Sequence, residues 1–409
     1  MSRSRHAGRS SGAPAWQAGF VVGAALGAAV TVLGRRAEER ARAGLVDWAT
    51  VQRIAEARMR NAPGHLDAAA LAAPEPAYEA AMRRVVPALE AALGTPLPGI
   101  VERVAVVDRA GWVRANLATF AALFGRLEGE LLDQVVPPGA GLAKASLALA
   151  NRWVTTRQFG LLLGFMGQRV LGQYDLALLS AEAAPGQLLF VEENVRHTAA
   201  ALGVPVDPFR TWIALHETTH AFEFEAHPWL RPYLAERLEK QLGGLSRSAS
   251  DLGRDASRAL GRALRGGDGH WLERLLPDEQ RRLFRETQTV MSLLEGFSDH
   301  VMDAAGRDLV PGVETISRRF HARRATRSPM ERAILRITGL DLKMEQYARG
   351  ERFVAAVERT AGPEGLRRLW DGPETLPRDG ELEHPDRWVR RVVGGAAPSV
   401  PSGTAGRPA

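Results

Sequence analysis

The stretch Leu215-His216-Glu217-Thr218-Thr219-His220-Ala221 constrains the fold more than any other part of the chain. On a helix, H-E-x-x-H is a zinc site with its own general base built in. A helix advances about 100° per residue, so His216 and His220 lie about one turn apart on a single face. Both rings can then reach one metal. Glu217 lies one step round, off the metal yet close enough to take a proton from a water held there. It is therefore a base candidate and not a ligand. Phe209, Trp212, Ile213 and Leu215 precede the pair and Phe222 and Phe224 follow it, an apolar setting in which unpaired imidazoles would be costly.

The chain has no cysteine, so thiolate ligands and disulfides are excluded and a bound Zn2+ needs a third ligand from His or a carboxylate. A third His in the metzincin register would fall on Ala226 and the accompanying Gly on Glu223, which excludes that class. His227 is one position late and adjoins Pro228, a helix-end signal. Downstream, Glu295 and Asp299 stand four apart among Leu293, Leu294, Phe297 and Val301. Glu295 would complete a His₂Glu set, and Asp299 could accept the free ring N–H of a ligating His and fix its tautomer. His300, Tyr174 and Tyr233 are candidate donors to a transition-state oxyanion.

At 409 residues with 45% apolar content, the chain can bury one large core or two smaller ones. Its +6 net charge comes from arginine in an Ala- and Gly-rich composition and says little about partners. No nucleic-acid motif and no Gly-rich phosphate loop is present. An uncharged run, Ala15 to Leu33, stands between Arg3, Arg5 and Arg9 on one side and Arg35-Arg36 on the other. At 1.5 Å per residue it spans about 28 Å, enough for a membrane anchor, and Gly19, Gly23 and Gly27 have the small-xxx-small spacing of packed membrane helices. The expected organisation is a basic tail with a candidate anchor over 1–44, a catalytic region over 45–393 and a disordered tail over 394–409. The catalytic region divides into a helical part, about 45–180, and a metal-site part, about 181–393. The location is cytoplasmic or membrane-anchored, and the sequence does not fix the oligomeric state.

From Asp47 onward the periodicity is helical. Asp47 can cap a helix with Trp48, Val51, Ala55 and Met59 on one face. Tyr78, Met82, Val85, Leu89 and Leu93 mark a second, and Val113, Leu117, Phe120, Phe124, Leu127 and Leu131 a third. The apolar segment Leu142 to Leu171 contains Arg152, Arg157 and Arg169, which argues for a buried helix over a membrane span. Gln187 to Val191 is the one clear strand, and Glu192, Glu193 and Asn194 after it could cap the next helix. A strand edge beside a metal can bind an extended peptide. Within Gly243 to Gly269, Leu252, Ala256, Leu260 and Leu264 suit a short amphipathic helix, and Arg318, Arg319, Arg323, Arg324 and Arg327 form a basic cluster read as a solvated face.

The run from His216 through Pro228 to Leu230, the Leu171-Gly172-Gln173-Tyr174-Asp175 turn, and Leu294-Glu295-Gly296 together resemble the zincin-like metalloproteases. One branch of these is associated with biosynthesis of the deazaflavin coenzyme F-420. The likeness runs from about Val46 to Val393 and takes in Gly339 to Lys343, Gln346-Tyr347 and Trp388-Val389. It implies a mainly α zincin-like fold, with a minimal β element beside the H-E-x-x-H helix, and the Glu295-x-x-x-Asp299 spacing is similar to the gluzincin pattern. The expected activity is that of a zinc metallohydrolase acting on a peptide or protein substrate, with Glu217 as general base. The alternative is a catalytically silent zinc-binding assembly or chaperone-like protein linked to deazaflavin coenzyme biosynthesis.

Overall fold

The computed structural model describes residues 35–60, 62–135, 141–174, 186–252, 277–325 and 342–394. The run from Ala15 to Leu33, the segment 253–276, Gly339 to Asp341 and the tail beyond 394 lie outside these residues. Among the described residues, no helix is long and apolar enough to cross a membrane.

Helices α1 (Trp48–Arg60), α2 (Ala68–Ala72) and α3 (Glu75–Leu93) open the chain. Asp47 caps α1 by accepting the Thr50 N–H at 3.0 Å, and Val51, Ala55 and Met59 are buried on one face. On α3, Tyr78, Met82, Val85 and Leu89 enter the core. Strand β1 (Val104–Val107) then leads into α4 (Arg109–Val135) and α5 (Gly141–Gly167), followed by β2 (Gly172–Tyr174) and β3 (Leu188–Val191). The three strands make one sheet in the order β1-β3-β2, parallel between β1 and β3 and antiparallel between β2 and β3. Strand β3 is buried along its whole length, as suits the central strand, whereas β1 and β2 at the edges are only partly buried.

Beyond β3, α6 (Glu192–Leu202) leads to α7 (Val206–Glu225), which bears the H-E-x-x-H residues and is buried on nearly every side. Glu192, Glu193 and Asn194 make no side-chain cap on α6. Instead all three are buried and tie neighbouring elements together. Glu192 accepts from Tyr78 Oη at 2.9 Å and pairs with Arg210. Glu193 accepts the Arg109 N–H, and Asn194 Nδ2 donates to the carbonyls of Gly167 and Val170. Buried polar groups must find partners somewhere, and here they find them across elements, a choice that local propensity cannot foresee.

After α8 (Leu230–Leu252) comes the long helix α9 (Asp278–Leu309), then α10 (Val313–Ala325) and α11 (Leu342–Arg368). Arg319 on α10 donates to the carbonyls of Leu202 and Gly203 at 3.0 and 2.8 Å, so one member of the basic cluster caps the C-terminus of α6. The chain then closes with α12 (Pro385–Trp388) and a π-helical turn, where Trp388 is fully buried and donates to the Thr375 carbonyl at 2.6 Å.

Helix α5 differs from the expected buried helix. It lays Ala145, Ala148, Thr156, Gly160, Leu163 and Gly164 against the body of the protein, with Gly160 meeting Ile54 and Gly164 meeting Ala55 of α1. Its opposite face is open, with Leu147 64%, Trp153 59% and Leu161 51% exposed. A long, predominantly apolar helix reads as buried, but among the described residues only one side of this one is covered.

Helices α9 and α11 touch backbone to backbone. A Cβ on Gly296 would lie 2.1 Å from the Gly350 carbonyl carbon, and one on Gly350 would lie 1.8 Å from the Ser292 carbonyl oxygen. Neither neighbour is a flexible side-chain end, so an added methyl must push the helices apart. Glu295 adjoins this contact, which therefore sets where that carboxylate sits. Gly296→Ala is expected to lower the unfolding free energy by about 3 kcal/mol or more through overpacking, checked by denaturant titration against wild type.

Candidate metal centre

His216 and His220 project from α7 on one face, their rings 4.7 Å apart between centroids, and α9 delivers Glu295 opposite them. Glu295 Oε2 lies 3.8 Å from His216 Nε2 and 4.0 Å from His220 Nε2. The three ligand atoms fall within 4.8 Å of one another and are partly exposed. Ligands at tetrahedral angles about 2.0–2.2 Å from a zinc ion would stand roughly 3.4 Å apart. The two imidazoles and one carboxylate therefore fit such an ion with a small inward adjustment. Three protein donors leave a fourth position for water or substrate, the composition of catalytic zinc sites.

The outward nitrogens of the two rings are held differently. His220 Nδ1 lies 2.8 Å from Glu223 Oε2 and 3.2 Å from Ser298 Oγ. With a proton on Nδ1, His220 donates to Glu223 and leaves Nε2 free for a cation. Glu223 is fully buried, and its second oxygen has no hydrogen-bond partner among the described residues. Burial pushes its carboxyl up to about 7, against the opposing pull of His220 and Ser298. For His220, burial favours the neutral ring, but Glu223, Glu295 and Glu217 together outweigh it and raise the pKa to about 10. The three carboxylates thus favour positive charge at His220, and a cation on the triad would balance the same groups. His216 Nδ1 instead faces Met302 Sδ at 3.0 Å, and Asp299 Oδ1 stands 4.0 Å away, ion-pair distance and not hydrogen-bond distance.

Glu217, one step round α7 from His216 and within electrostatic reach of His220 and Glu295, meets the sheet edge. Its Oε2 accepts the backbone N–H of Tyr174 at 3.0 Å. Because Val191 N–H donates to the Leu171 carbonyl, the alternating ladder turns the backbone groups of Gly172 and Tyr174 away from β3, towards the open edge of β2. Glu217 occupies that edge. Only glycine allows this approach at position 172, where a Cβ would stand 2.7 Å from Glu217 Cγ. Burial raises the Glu217 carboxyl to about 7, with His220 and the Tyr174 N–H opposing the rise and Glu295 adding to it.

The other candidate residues are placed elsewhere. Tyr174 reaches the site through its main chain, while its hydroxyl donates to Glu225 Oε1 at 2.9 Å and accepts from Gly186 N–H. Glu225 is also gripped by Arg103 through two bonds of 2.6 and 2.8 Å, which fastens the end of α7 to the start of β1. Tyr233 lies under the Arg237 guanidinium, 3.4 Å from its ring centroid, and His300 Nε2 pairs with Glu358 at 3.0 Å. His227 stacks on Trp370 and bonds the Glu223 carbonyl, outside the ligand group. The residue that sequence reading missed is Glu223. Its signal was present, a carboxylate three residues after His220 and between Phe222 and Phe224, where no charged group would be buried without a partner.

The zincin-like metallopeptidase family matches over residues 46–389. A crystal structure from Chloroflexus aurantiacus, described as that of a candidate hydrolase with a novel fold, is similar at 35% identity and a TM-score of 0.63. The match covers 85% of this chain and 98% of that one. No curated protein matches. None of these likenesses bears on a deazaflavin coenzyme. A match over most of the length, on the stretch that carries both the H-E-x-x-H helix and Glu295, means that the chain belongs to the zincin-like metallopeptidase family.

Proposed function

We propose that the protein is a zinc-dependent peptidase of gluzincin type, with His216, His220 and Glu295 as ligands and Glu217 as general base. The observation that carries this reading is the place of Glu217: a buried carboxylate within electrostatic reach of the ligand residues and bonded to the outer edge of a strand. A zinc ion on the triad would supply a Lewis acid for the scissile carbonyl and draw the pKa of a water towards about 7. An extended peptide laid along the edge of β2 would pass beside Glu217 and could pair with outward backbone groups of the strand. Glu217, held by the Tyr174 N–H, takes the proton of the attacking water and returns it to the leaving amine. Glu223 keeps His220 in the tautomer that presents Nε2, and Asp299 is placed to balance charge on His216.

Metal analysis and peptide-library cleavage test this directly. Wild type is expected to carry about one zinc per chain and to cleave. His220→Ala and Glu295→Ala should lose the metal, while Glu217→Gln keeps it and loses at least about 10²-fold in kcat/KM, the share typical of a general base. Full activity in Glu217→Gln, or a wild type that takes up no zinc, would overturn the reading.

The pH dependence has a definite sign. Glu217 works only when ionised, and its raised carboxyl, about 7 without metal, binds a proton as the pH falls. A nearby cation favours the charged form, so the acid limb of kcat/KM should lie below about pH 7. The profile of wild type is the measurement.

Metal binding should also displace a proton from His220 Nε2, which the neighbouring carboxylates favour at neutral pH, while Nδ1–H stays bonded to Glu223. Calorimetric titration of zinc in buffers of different ionisation enthalpy should show release of about one proton. Glu223→Gln should reduce that release and weaken zinc binding about tenfold or more.

A further inference from the structure

The geometry points to the open face of α5 as a docking surface for an anionic lipid bilayer. Leu142, Leu147, Trp153, Val154 and Leu161 are all exposed. At 100° per residue they fall within an arc of about 140° and run along about 28 Å of helix. Monomeric proteins rarely leave so continuous an apolar strip in water. Two further observations select the occupant.

The first is charge. From Gln134 to Tyr174 the chain has no Asp or Glu, while Lys144 and Arg157 are exposed on or beside the strip. The Arg157 guanidinium lies over the Trp153 ring, 4.2 Å from its centroid. An exposed tryptophan with cations alongside is the composition of helices that lie in the headgroup region of anionic membranes. A protein partner would be as well served by carboxylates on the rim, and this helix has none.

The second is where the chain beyond the strip leads. The helical segment 35–42 packs Ala41 on Ala148 and Leu149, on the flank of this same helix. The nineteen uncharged residues from Ala15 to Leu33 join that segment directly, and a run of this length is what a hydrocarbon core can take up. The strip and the segment that follows the run thus meet on one helix. A bilayer accommodates both at once, with α5 lying on the surface beside the point where the run enters.

The test uses the full chain, which has no cysteine of its own, so single labels are unambiguous. Leu147→Cys, Trp153→Cys and Leu161→Cys each carry an environment-sensitive fluorophore, with exposed Glu364→Cys on α11 as control. Each is mixed with vesicles of phosphatidylcholine and phosphatidylglycerol containing brominated lipid. The expected result is a blue shift and about a twofold or greater loss of emission at 147, 153 and 161, the depth to which an interfacial face sinks, and no change at 364. With Lys144→Glu and Arg157→Glu added, the preference for anionic over pure phosphatidylcholine vesicles should fall towards unity. Vesicle-bound protein whose three labels stay in water would overturn the proposal, since the N-terminal run alone would then hold the membrane. So would labels shielded without lipid in a dimer, which would make a second copy the occupant. Labels that become exposed only when residues 1–33 are deleted would assign the strip to that segment and would equally overturn it.

Discussion

The structure depends on the charge balance around His220. Three carboxylates, Glu217, Glu223 and Glu295, act on one ring, and two of them are buried to the point that their carboxyls rise to about 7. Burying such groups without a counter-charge would be strongly unfavourable. The surrounding elements are arranged to limit that cost. Helix α7 sits in the core so that Glu217 and Glu223 are buried, β2 offers a backbone N–H to Glu217, and α9 contributes Ser298 together with Glu295. In the absence of a cation, a proton on His220 serves the balance. A metal ion would serve it better, because it faces Glu295 and both imidazoles at once.

How much of this could be read from the chain depends on whether the controlling interaction was local. His216 and His220 are set by helical pitch alone, and their geometry is implied by their spacing. The core faces of α1 and α3 follow the same rule, as Val51, Ala55, Tyr78 and Met82 illustrate. Glu295 is a tertiary fact. Its helix was legible from Leu294, Phe297 and Val301, but its approach depends on Gly296 and Gly350 letting two backbones touch. Strands β1 and β2 were invisible for a different reason. Strand β2 is three residues long with no apolar run, and β1, although apolar as Val-Ala-Val-Val, is followed at once by a helix and gains its pairing only from β3 more than eighty residues later.

Buried polar groups were harder still, because a carboxylate in sequence carries no mark of its partner. Glu192, Glu193 and Asn194 look like residues for a helix start, yet each is committed to a different element. Glu223 has the same character. It is read as a surface acid until His220 Nδ1 is found beside it. The opposite mistake attends α5, where uniform apolarity suggests burial and only the packing shows that one side has no neighbour among the described residues. In each case the sequence gives the chemical type of the side chain, while the environment that decides its role is assembled from distant segments.

Glu217 joins the two kinds of information. Its place in the motif is local, one step from His216, but its working geometry is made by Gly172 and Tyr174, more than forty residues earlier. Had β2 run one residue out of register, the alternation of backbone directions would have turned the Tyr174 N–H into the sheet and away from Glu217. The register is fixed by the pairing of Tyr174 with Leu188 on β3, and that end of the sheet is held to α7 by Arg103, Glu225 and the Tyr174 hydroxyl. The same tyrosine therefore aligns the strand with its side chain and orients the base with its main chain. This is why the ionic contacts at the far end of α7, outside the ligand group, belong to the chemistry of the site as much as the ligands do.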